Sequence, residues 1–155
     1  MKPLVIYHTR TQNTAQVAQV IANALKADLM LVERVTEQNL RGRHLIGLGS
    51  GIYWTRLDSR IYATASRLPR DATIFTFATS GFRQQLFVGF YQLRIKKRMA
   101  RYDIQTVGHW HCPGCDKHPL TRWMGLSRGR PDSRDLDAAR SFALRMKRAL
   151  VATHP

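Results

Sequence analysis

The sequence predicts an α/β fold in which helices cover both faces of a parallel sheet. Short apolar runs with strand character alternate with segments of helical periodicity along the whole chain, which is the pattern of a parallel sheet. A chain of 155 residues is long enough for one hydrophobic core without division into two. Because no linker-like segment interrupts the alternation, we expect one domain over residues 1–155.

Five strands and four or five helices are predicted. The strands are expected at Leu4–Tyr7, Leu29–Glu33, His44–Gly49, Thr73–Ala78 and Ile104–Gly108. Helical periodicity covers Val17–Leu25, Leu57–Leu68, Gln84–Arg101 and a final segment that opens near Asp132 or Ser133. The polar segment Glu37–Arg43 is too short for an ordinary helix, so we expect a loop or a single turn there.

The first loop has the composition of an anion-binding turn. It follows the apolar run Leu4–Tyr7 and consists of Thr9, Arg10, Thr11, Gln12, Asn13 and Thr14. A loop that leaves a strand and opens a helix presents backbone N–H groups and the positive end of the helix dipole to an anion. The glycine-rich loops of nucleoside triphosphatases and dinucleotide-binding proteins are absent, which favours a mononucleotide. The simpler alternative is a polar turn in which Asn13 or Thr14 caps the helix.

This loop resembles the loop [ST]-x-T-G-x-T that follows the first strand in the flavodoxin family, with Gln12 at the usual glycine position. If that position needs a positive φ, a non-glycine residue is strained there by about 1 kcal/mol. A subset of small flavodoxin-like proteins also has G-x-x-x-C-x-G-x-D and G-R-P-[DN], which match Gly108–Asp116 and Gly129–Asp132. The resemblance implies a three-layer sandwich with a parallel sheet of order 2-1-3-4-5, and FMN as the cofactor.

The resemblance also implies that FMN lies at the carboxyl ends of the first, third and fourth strands. The loops after the third and fourth strands contain Ser50, Gly51, Ile52, Tyr53 and Trp54, and then Thr79, Ser80, Gly81 and Phe82. A flat flavin ring needs aromatic faces, which Tyr53, Trp54 and Phe82 can supply. Its polar edge needs close backbone amides, which Gly51 and Gly81 allow. Aromatic residues just past a strand also often only cover the core.

The chain is strongly basic. It has 25 Lys plus Arg against 10 Asp plus Glu, a formal net charge of +15, so acidic partners are attracted and basic ones repelled. An arginine-rich proteome would give the same excess without a function. Binding to an acidic protein partner or to an anionic membrane surface would account for it as well. No helix-turn-helix, zinc-finger or aromatic stacking signature supports nucleic-acid binding.

Two cysteines are too few for a disulfide framework, which indicates a reducing compartment. With neither a bilayer-spanning apolar stretch nor a secretion signal in the sequence, we expect a cytoplasmic protein. Cys112 and Cys115 form C-x-x-C near three histidines, His109, His111 and His118. Zinc and dithiol redox chemistry are both possible. We favour a turn at Pro113–Gly114 with Cys112 buried.

Three functions remain open. The first is an FMN electron carrier whose flavin site is more positive than the flavin site of the acidic, low-potential flavodoxins. The expected cations are Arg10, Arg56, Arg60, Arg83, His109 and Lys117. Positive neighbours stabilise reduced, anionic flavin and raise its potential. The second is a menaquinone-dependent protoporphyrinogen oxidase, because the segment Arg94–Arg101, with Phe87, Phe90 and Tyr91 upstream, could touch lipid. That family carries an insertion near the flavin, which the segment Ser80–Gln84 is too short to hold. The third is a binding module without a cofactor.

Overall fold

The computed structural model describes residues 2–81, 85–114 and 129–153. The strands are β1 Leu4–Tyr7, β2 Asp28–Leu31, β3 Leu45–Gly51, β4 Thr73–Ser80 and β5 Thr106–Pro113. The helices are α1 Asn13–Leu25, α2 Glu37–Leu40, α3 Ser59–Ala65, α4 Gln85–Ala100 and α5 Ser133–Thr153, and a single 3₁₀ turn covers Val32–Arg34. In the part of the chain that is described, no helix combines the length and the apolar character needed to cross a bilayer.

The five strands form one parallel sheet of order β2-β1-β3-β4-β5. This confirms the predicted fold class and strand order. The prediction of a single turn at Glu37–Arg43 is also confirmed, because α2 has only four residues. The second strand ends earlier than expected, since the chain turns into the 3₁₀ segment at Val32.

The fifth strand was predicted too early, at Ile104–Gly108. It runs from Thr106 to Pro113, where Pro113 pairs with Ser80 of β4, and the Gly114 N–H donates to the Ser80 carbonyl at 2.7 Å. The predicted turn does not begin at Pro113, because Pro113 is the last residue of β5 and the N–H of Gly114 still bonds to β4. Proline is tolerated there since β5 is an edge strand, where an N–H facing outward needs no partner in the sheet.

Each face of the sheet has its own hydrophobic core. Helices α1 and α5 cover one face, where Val17, Ile21 and Phe142 pack against Val5 and other strand residues. The elements α2, α3 and α4 belong to the other face, whose core includes Ile6, Leu48, Ile61 and Ile95. The strands β1, β3 and β4 lie in the middle of the sheet, so their carboxyl ends are held from both sides.

Two glycines of β3 are needed for the packing of β4. Gly47 and Gly49 lie opposite Phe75 and Phe77 in the ladder, and both phenylalanine rings are fully buried. A Cβ on Gly47 would lie 2.3 Å from Phe75 Cζ, and one on Gly49 would lie 2.1 Å from Phe77 Cε2. The rings therefore lie directly over the β3 backbone, which only glycine permits.

We predict that Gly49→Ala destabilises the protein by about 1–3 kcal/mol, because an added methyl group overpacks the Phe77 ring. Chemical denaturation monitored by circular dichroism gives the free energy of unfolding. The matched control is Gly89→Ala in α4, where an added Cβ meets nothing within 4 Å. That variant should be more stable by about 0.5–1 kcal/mol, since alanine favours a helix interior over glycine. Equal effects of the two substitutions would contradict the proposed packing.

Candidate cofactor site at the carboxyl edge of the sheet

The three segments predicted as loops meet at one edge of the sheet. The predicted ends of the third and fourth strands are wrong, because β3 continues through Ser50 and Gly51 and β4 through Thr79 and Ser80. The His8 N–H donates to the Gly49 carbonyl at 2.9 Å, and the Ile52 N–H donates to the Thr79 carbonyl at 2.8 Å. The hydroxyl oxygens of Thr14 and Thr79 are 2.8 Å apart in a buried hydrogen bond. The first loop is thus fixed to β3 by backbone and to β4 by a side-chain contact.

The first loop opens α1 without a conventional cap. Gln12 is the N-cap residue in a left-handed conformation, with φ of 66°, and it makes no side-chain cap hydrogen bond. The alternative in which Asn13 or Thr14 caps the helix is therefore wrong. The Asn13 amide donates to the Thr11 hydroxyl at 3.0 Å instead. The Gln12 position does have a positive φ, so the condition for strain at this non-glycine residue is met.

Two features of this loop fit a bound phosphate. The hydroxyl oxygen of Thr9 is buried and has no hydrogen-bond partner among the described residues, and a buried hydroxyl without a partner is costly. The first turn of α1 contains no acidic side chain to satisfy the helix dipole. A phosphate dianion beside Thr9 and the start of α1 would accept a hydrogen bond from the hydroxyl and place negative charge at the positive end of the helix dipole. Gly114 packs closely against the side chain of Asn13 in this loop, since a Cβ on Gly114 would lie 2.9 Å from the Asn13 Nδ2 atom.

The loop after β3 forms a tight two-residue turn. Tyr53 and Arg56 are paired as an antiparallel bridge, with N–H to carbonyl distances of 2.8 and 3.1 Å. The central residues Trp54 and Thr55 both have positive φ, 50° and 66°, which is the backbone of a type I′ turn. Neither tryptophan nor threonine favours a positive φ. The turn leaves the Trp54 side chain 91% exposed.

The Tyr53 ring is covered by the guanidinium of Arg10, whose Cζ lies 4.2 Å from the ring centroid. Partial burial and the nearby Asp58 carboxylate raise the pKa of Tyr53, against the opposing effect of Arg10. Gly51 allows the ring to approach, since a Cβ on Gly51 would lie 2.7 Å from the Tyr53 hydroxyl oxygen. The structure therefore brings together Arg10, Gly51 and Tyr53, while Trp54 points away from them into solvent.

The remaining predicted site residues hold the loops in place. The Ser50 hydroxyl is fully buried, donates to the Gly51 carbonyl at 2.7 Å and accepts from the Asp58 N–H at 2.9 Å. The Ser80 hydroxyl bonds the His111 Nε2 atom at 2.8 Å. Gly81 follows directly on β4, and Phe82 lies outside the described residues.

A partly buried charge network that was not predicted from the sequence lies beneath these loops, with His8 and Asp58 buried and Glu33 and Arg60 partly exposed. His8 Nδ1 is 2.8 Å from Glu33 Oε1, and His8 Nε2 is 3.5 Å from Asp58 Oδ2. Arg60 bridges the two carboxylates, with Nε 2.9 Å from Asp58 Oδ1 and Nη1 2.7 Å from Glu33 Oε1. The nearest sequence signal is Asp58 itself, which caps α3 by accepting from the Arg60 N–H at 3.0 Å.

Both carboxylates of this network are held in the charged form. Burial alone would raise the pKa of Asp58, but hydrogen bonds from Arg60 and the charges of His8 and Arg60 outweigh it and lower the pKa. For Glu33, desolvation is likewise outweighed by its hydrogen bonds and by His8 and Arg60, so its pKa is also lowered. The two carboxylates beneath the candidate site therefore offset the charge of Arg60.

The structure corrects part of the predicted positive environment. Arg60 is paired with two carboxylates. His109 lies on β5 with Nδ1 2.7 Å from the Thr76 hydroxyl, and burial, together with the charge of His111, lowers its pKa to about 4. It is therefore neutral at pH 7. Arg10 Nη2 lies 3.9 Å from Asp58 Oδ2 with its side chain largely exposed, and Arg56 belongs to no ion pair among the described residues. Arg83 and Lys117 lie outside them.

The cysteine motif is only partly described. Cys112 is buried on β5, as predicted, and burial raises the pKa of its thiol further, so a thiolate is disfavoured. His109 and His111 also lie on β5 and bond Thr76 and Ser80. Three of the five candidate metal ligands therefore lie on a strand, in hydrogen-bonded or buried positions. Within the described residues no cluster could hold a metal, and Cys115 and His118 lie outside them.

Comparison with solved structures places the fold among flavodoxins. A flavodoxin from the domain Archaea aligns over 97% of this chain and 99% of its own, with a TM-score of 0.65 and 14% identity. Oxidised flavodoxin 2 from Bacillus cereus aligns over 96% and 99%, with a TM-score of 0.68 and 16% identity. A flavodoxin, WrbA-like protein from Agrobacterium tumefaciens aligns over 97% and 98%, with a TM-score of 0.67 and 16% identity.

Sequence comparison finds an uncharacterized protein from Methanocaldococcus jannaschii that is 28% identical over 146 residues, covering 92% of this chain and 96% of that protein. No protein-family model matches the sequence. The predicted resemblance to flavodoxins is therefore confirmed at the level of the fold.

We predict that the protein loses stability as the pH falls from 7 to 5, because His109 and His111 are buried as neutral rings. Burial lowers the pKa of both to about 4, whereas an unfolded histidine titrates near about 6.5. Below pH 6.5 the unfolded chain therefore binds protons that the native state does not, and at pH 5 the loss is up to about 2 kcal/mol per histidine.

Urea denaturation at pH 7 and pH 5 measures this loss. The double variant His109→Gln/His111→Gln should show a smaller difference between the two pH values, while the exposed His44, changed to Gln, should leave it as in the parent. An unchanged pH dependence in the double variant would show that these two rings are not its source.

Proposed function

We propose that the protein is an FMN-binding electron-transfer protein of the flavodoxin type, acting in the cytoplasm as a single domain over residues 1–155. The observation that carries the proposal is the buried Thr9 hydroxyl without a partner among the described residues, which lies at the start of α1 where a phosphate would bind. The flavodoxin fold of the described chain supports it.

The first loop, Thr9–Thr14, would hold the phosphate through the Thr9 hydroxyl and the N–H groups that open α1. The loops Ser50–Trp54 and Thr79–Phe82 would hold the ring, with Gly51 and Gly81 letting backbone approach its polar edge. Because the Arg10 side chain is 61% exposed, it can leave the Tyr53 face for a ring. Bound flavin supplies the redox chemistry, accepting and returning one or two electrons.

The partner we propose is an acidic redox protein. The net charge of +15 favours such partners by electrostatic attraction. At the site itself the positive contribution comes from Arg10 and Arg56, since Asp58 and Glu33 offset Arg60. A cation near the ring favours reduced, anionic flavin and raises its potential.

The second candidate is an oxidase of the menaquinone-dependent protoporphyrinogen type that works at a membrane surface. Phe90 and Leu93 of α4 are 50% and 52% exposed beside the basic end of the helix, while Tyr91 is buried. Against it, only residues 81–84 separate β4 from α4, which leaves no room for the insertion of that family. If FMN-loaded protein oxidises a porphyrinogen with turnover, the oxidase becomes the preferred function and the electron carrier the second candidate.

Thr9→Val tests the phosphate site. We expect FMN affinity to fall about tenfold, because one hydrogen bond to a charged phosphate is lost. The free energy of unfolding of the FMN-free variant should stay level or rise, since a methyl group replaces a buried hydroxyl without a partner. Fluorescence quenching of FMN measures the affinity. The matched control is Thr106→Val, at the amino end of β5 and so at the end of the strands away from the candidate site. If the parent protein does not quench FMN fluorescence at micromolar concentrations, FMN is rejected as the cofactor and only the flavodoxin fold remains supported.

Arg10→Gln tests the electrostatics of the ring site. Loss of one exposed cation, worth about 1 kcal/mol at moderate distance, should lower the two-electron potential of bound FMN by about 20 mV. Arg10→Lys, which keeps the charge, should shift the potential less. A potentiometric titration of the parent protein that gives a hydroquinone couple as low as that of the acidic flavodoxins would reject the proposed positive site.

A further inference from the structure

Five cations converge on one pocket between α3 and α4. The pocket has a volume of about 220 Å³, and its lining consists of Arg56, Tyr62, Arg94, Lys97, Arg98 and Arg101. Four of the cations come from α4 and the residue that follows it, at positions i, i+3, i+4 and i+7, so they share one side of the helix. No carboxylate belongs to the described lining of this pocket.

These cations differ from the others whose contacts are described. The ion pairs of the described residues involve Asp28, Glu33, Asp58, Asp132 and Asp135 with His8 or with Arg10, Arg43, Arg60 and Arg130. Within residues 2–81, 85–114 and 129–153, none of the five pocket cations takes part in such a pair. Like charges held this close repel one another, so an anion in the pocket would relieve a cost that the fold itself does not offset.

The pocket is built around a fixed aromatic ring. Tyr62 is buried, and its hydroxyl oxygen accepts from the Leu57 N–H at 3.4 Å. The Arg98 Cζ lies 5.1 Å from the centroid of the Tyr62 ring, which orients the guanidinium before any ligand arrives. Preorganised arginines match the geometry of phosphate oxygens because their N–H groups form a planar fork.

A second cavity extends the pocket toward the β3–α3 loop. It has a volume of about 250 Å³, shares Arg56, Tyr62 and Arg98 with the first, and also reaches Tyr53 and Trp54. Because they share residues, the two cavities adjoin as one groove, with the exposed Trp54 ring in the second cavity and Arg94, Lys97 and Arg101 in the first. Arg10 and Asp58 also line the second cavity. An elongated ligand with an aromatic end and a multiply charged anionic end fits both.

From this groove we propose a binding site for a phosphate-bearing small molecule of the nucleotide class, with its phosphates between α3 and α4 and its ring against Trp54. Several negative charges are needed to balance five cations, which a polyphosphate supplies in one compact group. The small volume of the pocket and the aromatic ring in the adjoining cavity favour a small molecule over the face of an acidic protein. The site does not require FMN.

Isothermal titration calorimetry with inorganic tripolyphosphate and with ATP, at about 150 mM salt to screen exposed charges, tests the proposal. We expect saturable one-to-one binding of both, with ATP the tighter ligand and with Trp54 fluorescence changed by ATP alone. Arg94→Gln/Arg98→Gln should weaken tripolyphosphate binding at least tenfold. Lys97→Gln/Arg101→Gln, both at exposed positions, serves as the second test if the first variant unfolds.

The matched control is Arg140→Gln/Arg148→Gln, which removes the same charge from α5 on the opposite face of the sheet. It should change the affinity less than twofold. Equal losses in the pocket and control variants would show non-specific attraction by a basic protein and overturn the proposal. Binding that the pocket variants leave intact would overturn it too, by placing the anion elsewhere, for example at the start of α1. Binding of poly-L-glutamate, but not of tripolyphosphate, at this pocket would identify an acidic protein surface as the ligand instead.

Discussion

The packing of Phe75 and Phe77 over Gly47 and Gly49 is the contact on which the rest of the molecule depends. It joins β3 to β4 in one register, because a shift by one residue would place a side chain under each ring. That register brings the carboxyl ends of β3 and β4 level with β1, so that Ile52 can donate to Thr79 and Thr14 can reach Thr79. The candidate cofactor site is therefore a consequence of how two glycines were placed in the centre of the sheet.

The edge built in this way separates two electrostatic environments. Below the loops, the carboxylates of Glu33 and Asp58 are paired with Arg60 and lie beside His8. Along the flank between α3 and α4, the cations have no ion-pair partner within the described residues. Since carboxylates are few in this chain, pairing them beneath the site leaves the outer helix α4 strongly positive. The positive charge that is available to a partner or ligand therefore lies between α3 and α4 rather than beneath the candidate cofactor site.

Much of this could be predicted from sequence because the signals are local. Four of the five strands follow apolar runs, and the order of loops along the chain identifies the edge where they meet. The fifth strand could not be located, because His109, His111 and Pro113 are typical of a turn and become strand only by pairing with β4. The network around His8 was equally hidden, since His8 and Glu33 are 25 residues apart and meet only when β1 lies beside β2.

Three of the five non-glycine residues with positive φ in the described chain lie at the candidate cofactor site. They are Gln12, Trp54 and Thr55, whereas Lys26 ends α1 and Asp103 lies in the turn after α4. A positive φ costs about 1 kcal/mol for a residue with a Cβ. Strain of this kind persists where a loop must present a particular group. At Gln12 the strained residue is the N-cap of α1, in the loop that also contains the Thr9 hydroxyl. At Trp54 and Thr55 it turns an aromatic ring outward, where only a bound molecule would cover it.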